Sequence, residues 1–294
     1  MGAKFRQTQK RIESIRSTVK ITRAMELVAA SRIVRAQQRL VRARPYAMRI
    51  HEAIGDLAGI TEVLNEFPLL KEREQIATSG IVVLTSDRGL AGAYNSNVIK
   101  VGVGLVREAR RAGRDVRLHV VGKKGINFFK FSNFEMASQT QGISDTPTFE
   151  AAEKLGRVLV QEFVDGQVDE VQIAYTDFRS AGSQVATSTR ILPISSEEVI
   201  SEHTIDPLFE FEPEPSALLS LLLPRYINTV IFATLLESSA SEHAARRRAM
   251  KAATENGEEL AKILTRVANR ERQAEITSEI MEVVGGAEAL REGA

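Results

Sequence analysis

The 294-residue chain carries 39 Lys/Arg, 38 Asp/Glu and no Cys, which excludes disulfides, thiol catalysis and Cys-ligated zinc or iron–sulfur clusters. Its apolar content is that of a globular protein, and no uninterrupted run reaches the ~18 apolar residues of a membrane span. Residues 1–20 are polar and basic, unlike a secretory signal, so a cytoplasmic or cytoplasm-like compartment is expected.

The first predicted element is a very long helix. Residues 4–58 contain one Pro, Pro45, and no Gly before Gly55. Apolar or small residues recur there at 3-4 spacing: Ile12, Ile15, Val19 and Thr22, then Ala29, Ile33, Ala36, Leu40, Ala43, Ala47, Ile50, Ile54 and Leu57. A seam sustained over so many heptads predicts a coiled coil, kinked at Pro45 and fading at Gly55–Gly59. At 1.5 Å per residue the helix spans roughly 80 Å, too long for a compact chain of this size to enclose. A polar connector is expected over residues 60–75.

The middle of the chain alternates strands and helices. Strands are predicted at residues 80–85, 115–121, 170–175 and 184–192, and helices at residues 94–112 and 148–164, the latter opened by Thr146-Pro147. That order implies a small, mostly parallel sheet covered by helices. After an acidic, Pro-bearing segment a second long helix begins near Ala217, with a seam read as Ala249, Ala253, Asn256, Leu260, Ile263, Val267, Ala274, Thr277, Met281 and Val284. The expected divisions are a helix over 1–59, a Rossmann-like α/β domain over 76–194, an acidic linker over 195–215 and a helix over 216–294. The two long helices are expected to pair antiparallel. The small residues of Ser238–Ser241 and His243–Ala245 would then face Ala24, Ala29, Ala30 and Ser31.

The near-neutral total hides an asymmetry. Residues 1–50 hold thirteen Lys/Arg against two Asp/Glu, whereas residues 51–235 hold seventeen against twenty-five. So basic a helix is adapted to an acidic partner, whether nucleic acid, anionic membrane or acidic protein.

Little else points to chemistry. The loop Thr85-Ser86-Asp87-Arg88-Gly89-Leu90-Ala91-Gly92 lies where phosphate-binding loops lie, between a strand and a helix, but lacks both the G-x-G-x-x-G register and a Gly-Lys-Ser/Thr. Gly122-Lys123-Lys124-Gly125 also falls short of a P-loop. The four His are scattered, no nucleophile elbow is present, and the basic helix carries only Phe5 and Tyr46 as aromatics. No catalytic, cofactor-binding or metal residues are assigned. Arg246-Arg247-Arg248 has no account at this level.

Three segments together resemble one family, the gamma subunit of rotary F-type ATP synthase. They are Ile15–Ser31, containing Thr22-Arg23-Ala24-Met25-Glu26; Thr85–Asn95, containing Ser86-Asp87-Arg88-Gly89-Leu90-Ala91-Gly92; and Glu237–Glu242 through Ala249–Asn256 to Arg272–Ile280. The resemblance implies an antiparallel coiled coil of the N- and C-terminal helices forming a shaft, with the Rossmann-like α/β domain between them. It implies a non-catalytic central-stalk rotor, coupling proton-driven c-ring rotation to ATP synthesis or hydrolysis in the alpha/beta hexamer.

The implied partners are the alpha and beta subunits, the epsilon subunit and the c-ring, with no nucleic acid. Membrane association would come only through the complex, on the cytoplasmic face of the bacterial cell membrane. Carried over by motif, Arg23 and Met25 would face an acidic helix-turn-helix of beta, and Arg272, Gln273, Thr277 and Glu279 would make further coupling contacts. Ile280, Met281, Val283 and Val284 would form a tip turning in an apolar collar, and Leu208, Phe209, Glu210, Phe211 and Glu212 a foot near epsilon and the c-ring. The inserted dithiol segment of chloroplast members is absent, and with no Cys its control is excluded. A nucleotide-binding α/β enzyme and a basic coiled-coil nucleic-acid binder remain as alternatives.

Overall fold

The computed structural model describes residues 3–60, 67–195 and 212–292. Its elements are α1 (Ala3–Ile60), β1 (Thr78–Leu84), α2 (Tyr94–Arg111), β2 (Asp115–Val121), α3 (Lys123–Phe131), β3 (Ser138–Thr140), α4 (Phe149–Val164), β4 (Glu170–Phe178), β5 (Gln184–Leu192) and α5 (Pro215–Glu292). The chain divides into two compact units, Met1–Val28 with Arg247–Ala294, and Ala29–Arg246.

In the larger unit the five strands lie in the order β3-β2-β1-β4-β5, parallel except for β5, which runs antiparallel to β4. Alternate residues point to opposite faces of the pleat, and both faces are covered. Ile81, Val83, Leu118 and Val120 pack with Val98, Val106 and Phe129 of α2 and α3. Val82, Leu84, Val121 and Ile173 pack on the other face with Leu155 and Leu159 of α4, Ile50 and Ile54 of α1, and Leu219, Leu223, Ile227 and Ile231 of α5. Burying a side chain of that size contributes about 1.5–3 kcal/mol. Within α5 an 18-residue window reaches a mean hydropathy of 1.5, enough by composition to cross a membrane, which counting unbroken runs overlooks.

Several local expectations change. α1 runs through Pro45 and past Gly55 to Ile60, and Leu69 and Leu70, read as connector, are core residues. α3 was hidden behind Gly122 and Gly125, and both glycines are required by a close approach to Thr85. A Cβ on Gly122, whose φ is +94°, would lie 2.2 Å from the Thr85 carbonyl oxygen. β3, three residues long, carries too little pattern to be read.

In the smaller unit α1 and α5 pack antiparallel. Phe5 and Ile12 meet Ala268 and Leu264, and Thr22 and Thr254 share a 2.7 Å hydroxyl–hydroxyl hydrogen bond. The buried face of α5 runs Met250, Thr254, Gly257, Ala261, Leu264 and Ala268, one residue beyond the expected seam. Asn256, Leu260, Ile263 and Val267 face outward instead. The choice of face is steric: a Cβ on Gly257 would lie 2.6 Å from a Val19 methyl, so the backbones approach too closely for the larger residues. The α1 seam is as read: Ile12, Thr22, Ala29, Ile33, Ala36, Leu40, Ile50, Ile54 and Leu57 are all buried.

Candidate functional site

In the smaller unit the residues expected to make coupling contacts lie along the outer side of the helix pair. Arg23 stands exposed and pairs with Glu258 at 3.3 Å, and Met25 is half-buried. A pair so open to water contributes about 0–1 kcal/mol, so Arg23 remains available to another carboxylate at little cost. Arg272, Gln273, Thr277 and Glu279 all lie on exposed turns of α5, with the Thr277 hydroxyl donating to the Gln273 carbonyl at 2.9 Å. Ile280, Met281, Val283 and Val284 are exposed, Val283 at 72%. Ile21, Leu27 and Val28 on α1 and Leu260, Ile263, Val267 and Ile276 on α5 extend this apolar surface. Apolar exposure on this scale marks a surface made to meet another protein. Glu212 is exposed, while Leu208, Phe209, Glu210 and Phe211 lie outside the described residues.

In the larger unit the loop between β1 and α2 leads into a buried polar cluster that the sequence did not reveal. In an open α/β sheet, ligands bind beyond the carboxyl ends of the strands, where the strand order reverses. Here that place, between β1 and β4, is taken by α5. The Ser241 hydroxyl donates to the Thr176 carbonyl at 3.1 Å, and the Thr176 amide reaches Ser238 Oγ at 3.5 Å. The Ser239 hydroxyl donates to the Asp145 carbonyl at 3.1 Å. The serine run expected to face α1 therefore serves β4 and the loop before α4. Its small side chains let α5 lie close against the sheet.

The anion position is filled as well. Asp87 accepts the Lys123 amide at the first turn of α3 (3.0 Å), the Gly142 amide (3.0 Å) and the Ser144 hydroxyl (3.0 Å). Its carboxylate thus sits where a helix N-terminus would hold a phosphate. Leu90, at φ 60°, carries the loop through a left-handed conformation beside Gly89.

Arg246 closes the cluster. It donates to Glu242 Oε1 at 2.6 Å and twice to the Gly89 carbonyl, at 3.2 and 3.3 Å, while only 7% exposed. This accounts for the first of the three consecutive arginines. Arg247 and Arg248 are exposed. His243 Nδ1 lies 3.4 Å from Arg246 Nη1, and its Nε2 lies 3.4 Å from the Asp145 carbonyl. Arg246 can only donate, so the imidazole is neutral with its proton on Nε2. Burial agrees, pulling the His243 pKa down to about 4 against the opposing charge of Asp145. Arg32 of α1 grips both oxygens of Asp145.

Burial pushes the Glu242 carboxyl up, Arg246 pulls it back, and Asp145 and Asp87 push it further up. Tyr94 is driven well above the usual phenol range, first by burial and then by Glu242. Asp145, Glu242 and His243 bring ligand-type atoms within 4.8 Å of one another. Two guanidinium groups already neutralise those carboxylates, however, so the arrangement suits a fastener joining α1, α5 and the β1–α2 loop rather than a cation site.

A protein-family model described as ATP synthase matches residues 4–290. ATP synthase gamma chains from Acidothermus cellulolyticus and Mycobacterium tuberculosis are each 46% identical, over 99% of this chain and 98% and 99% of theirs. Among solved structures, a chain of the Euglena gracilis mitochondrial ATP synthase (OSCP/F1/c-ring) shares the fold at TM-score 0.68 and 18% identity, covering 100% of this chain and 96% of that one. A chain of the Tetrahymena thermophila mitochondrial ATP synthase central stalk/c-ring matches at TM-score 0.59 and 24% identity, over 79% of this chain and 99% of that one. With a close-packed helix pair whose large side chains point outward and an α/β crevice closed by its own residues, the chain belongs to the family of ATP synthase gamma chains, the non-catalytic central-stalk subunits of that enzyme.

Proposed function

We propose that the helix pair is a shaft turned by a proton-driven c-ring inside an alpha/beta hexamer, with epsilon at its foot, on the cytoplasmic face of a bacterial cell membrane. The observation that carries this reading is the inverted packing of the smaller unit. Gly257, Ala261 and Ala268 line the inside of the helix pair, while Leu260, Ile263, Val267 and the apolar tip lie outside. Close-packed backbones stiffen the pair, and the outward apolar and basic side chains offer each surrounding subunit a different surface.

In this reading Arg23 and Met25 meet an acidic element of beta. Basic groups passing mobile carboxylates attract without one deep well, because each exposed pair is weak. Arg272, Gln273, Thr277 and Glu279 make polar contacts above that level, and Ile280, Met281, Val283 and Val284 turn in an apolar collar. Residues 208–212 form the foot beside epsilon and the c-ring.

The test is co-purification from membranes with a tag on the chain, followed by intact-mass measurement. A hexamer of two larger subunit types with one copy of this chain, epsilon and ATPase activity is the expected result. A free monomer or homodimer absent from any membrane ATPase refutes the proposal. In the purified complex, Arg272→Ala with Gln273→Ala is expected to lower ATP-driven proton pumping more than ATP hydrolysis.

A further inference from the structure

We infer that a cavity between α1, α5 and the start of α4 is a binding site for a small lipophilic amine, its ammonium group held by Glu237 and its apolar body by Phe149, Phe232 and Leu40. The cavity lies wholly within the larger unit and measures about 250 Å³. That is just below the usual range for drug-sized ligands, so the occupant is fragment-sized.

Its walls are mostly apolar and aromatic, with Arg44, Thr229 and Glu237 as the polar members of the lining. Phe149 and Phe232 meet edge to face with ring centroids 5.7 Å apart, and Tyr46 stands at the mouth. Two aromatic faces and a phenol favour a cation with an aryl or alkyl body. The one carboxylate lining the cavity is Glu237. It is half-buried and makes no hydrogen bond or ion pair with any described residue; the guanidinium of Arg44, which also lines the cavity, is the one cation acting on it, and only at a distance.

The groups around Glu237 favour a positive guest. Asp177 and Tyr175 face it from β4, and Arg44 faces it from α1. Burial and Asp177 push the Glu237 carboxyl up to about 7, and Arg44 draws it down. An ammonium group entering the cavity compensates the charge of the desolvated carboxylate and offsets its repulsion by Asp177. Arg44, itself exposed, is the internal cation that such a guest competes with.

The experiment uses the assembled complex and the probe 4-fluorophenethylamine, followed by fluorine NMR at about pH 8.5, where the amine is still protonated and Glu237 is ionised. Saturable binding is expected, roughly tenfold weaker in Glu237→Gln, because one charge-assisted hydrogen bond is lost. Arg44→Gln, which removes the competing cation, is expected to tighten binding. These variants move in opposite directions, so a general loss of folding cannot mimic the result. In the unmodified complex, binding is expected to weaken as the pH falls below about 7. No saturable binding, equal binding in Glu237→Gln, or equal binding of the neutral 2-phenylethanol overturns the inference.

Discussion

Replacing Arg246 by Met tests whether the buried cluster fastens the β1–α2 loop to α5. The substitution keeps the volume but removes the charge, and it leaves Glu242, 1% exposed at its side chain, without its cation. It also strips the Gly89 carbonyl of two donors. Breaking one side of a buried ion pair costs about 3–5 kcal/mol. Glu242 can take up a proton, since burial already raises its pKa, and this brings the expected loss towards the lower limit.

The assay is native-state hydrogen exchange on the assembled complex, which reads local opening without needing the chain in isolation. A loss of about 3 kcal/mol speeds exchange roughly 100-fold at the amides the loop protects: Ser86, held by Asn95, and Lys123 and Gly142, held by Asp87. Exposed Arg247→Met is the control and should leave these amides unchanged. The double change Glu242→Leu with Arg246→Met should recover much of the loss, because no charge is left stranded. Unchanged exchange in Arg246→Met, or equal effects from Arg246→Met and Arg247→Met, refutes the fastening role.

Acid sensitivity separates buried His243 from half-buried Glu237. His243, lowered to about 4, binds its proton more weakly folded than unfolded, so its stabilisation is complete above about pH 6.5 and is lost as pH falls towards 4. Glu237, raised to about 7, acts with the opposite sign: its contribution is present below about pH 4.5 and is lost as pH rises through 7. Denaturation titrations of His243→Asn and Glu237→Gln should remove these slopes one at a time, and unchanged slopes would contradict the burial argument. Gly122→Ala should destabilise by at least about 2 kcal/mol through its left-handed backbone and the Thr85 carbonyl, while Gly104→Ala, with open space around it, should stabilise by about 0.5–1 kcal/mol in thermal melts. Changing Ile280, Met281, Val283 and Val284 together to Ser should raise the solubility of the isolated chain in a sedimentation assay, since all four are exposed.

Helix and strand periodicity made most of the scaffold readable before the structure. β2 and β5 fall where the pattern placed them, while α4 is capped by Thr148, which accepts the Ala151 amide at 3.2 Å, rather than opened by Thr146-Pro147. The α5 seam misled for a physical reason. Hydrophobicity favours Leu260, Ile263 and Val267 as the inside, but a close-packed helix pair needs Gly257 and Ala261 there, and the larger residues are left for other contacts.

The polar cluster was illegible for another reason. Its members, Arg32, Asp87, Asp145, Glu242, His243 and Arg246, come from four separate stretches of chain, and no local spacing links one stretch to another. The Ser86–Gly92 loop could be recognised by resemblance, but its partner on α5 could be found only in three dimensions.

The pairing of α1 with α5 also sets a timetable for synthesis. Ile12 leaves the ribosome early, yet the residue that covers it, Ala268, is made some 256 positions later. At about 5–20 residues per second, α1 waits roughly 13–51 seconds for its partner. Meanwhile the sheet and its helices can fold, bringing the two ends of the α/β segment together and shortening the loop that pairing must close. A nascent chain paused before α5 would therefore carry the apolar seam of α1 uncovered throughout that interval, which makes α1 the segment most in need of a chaperone during translation.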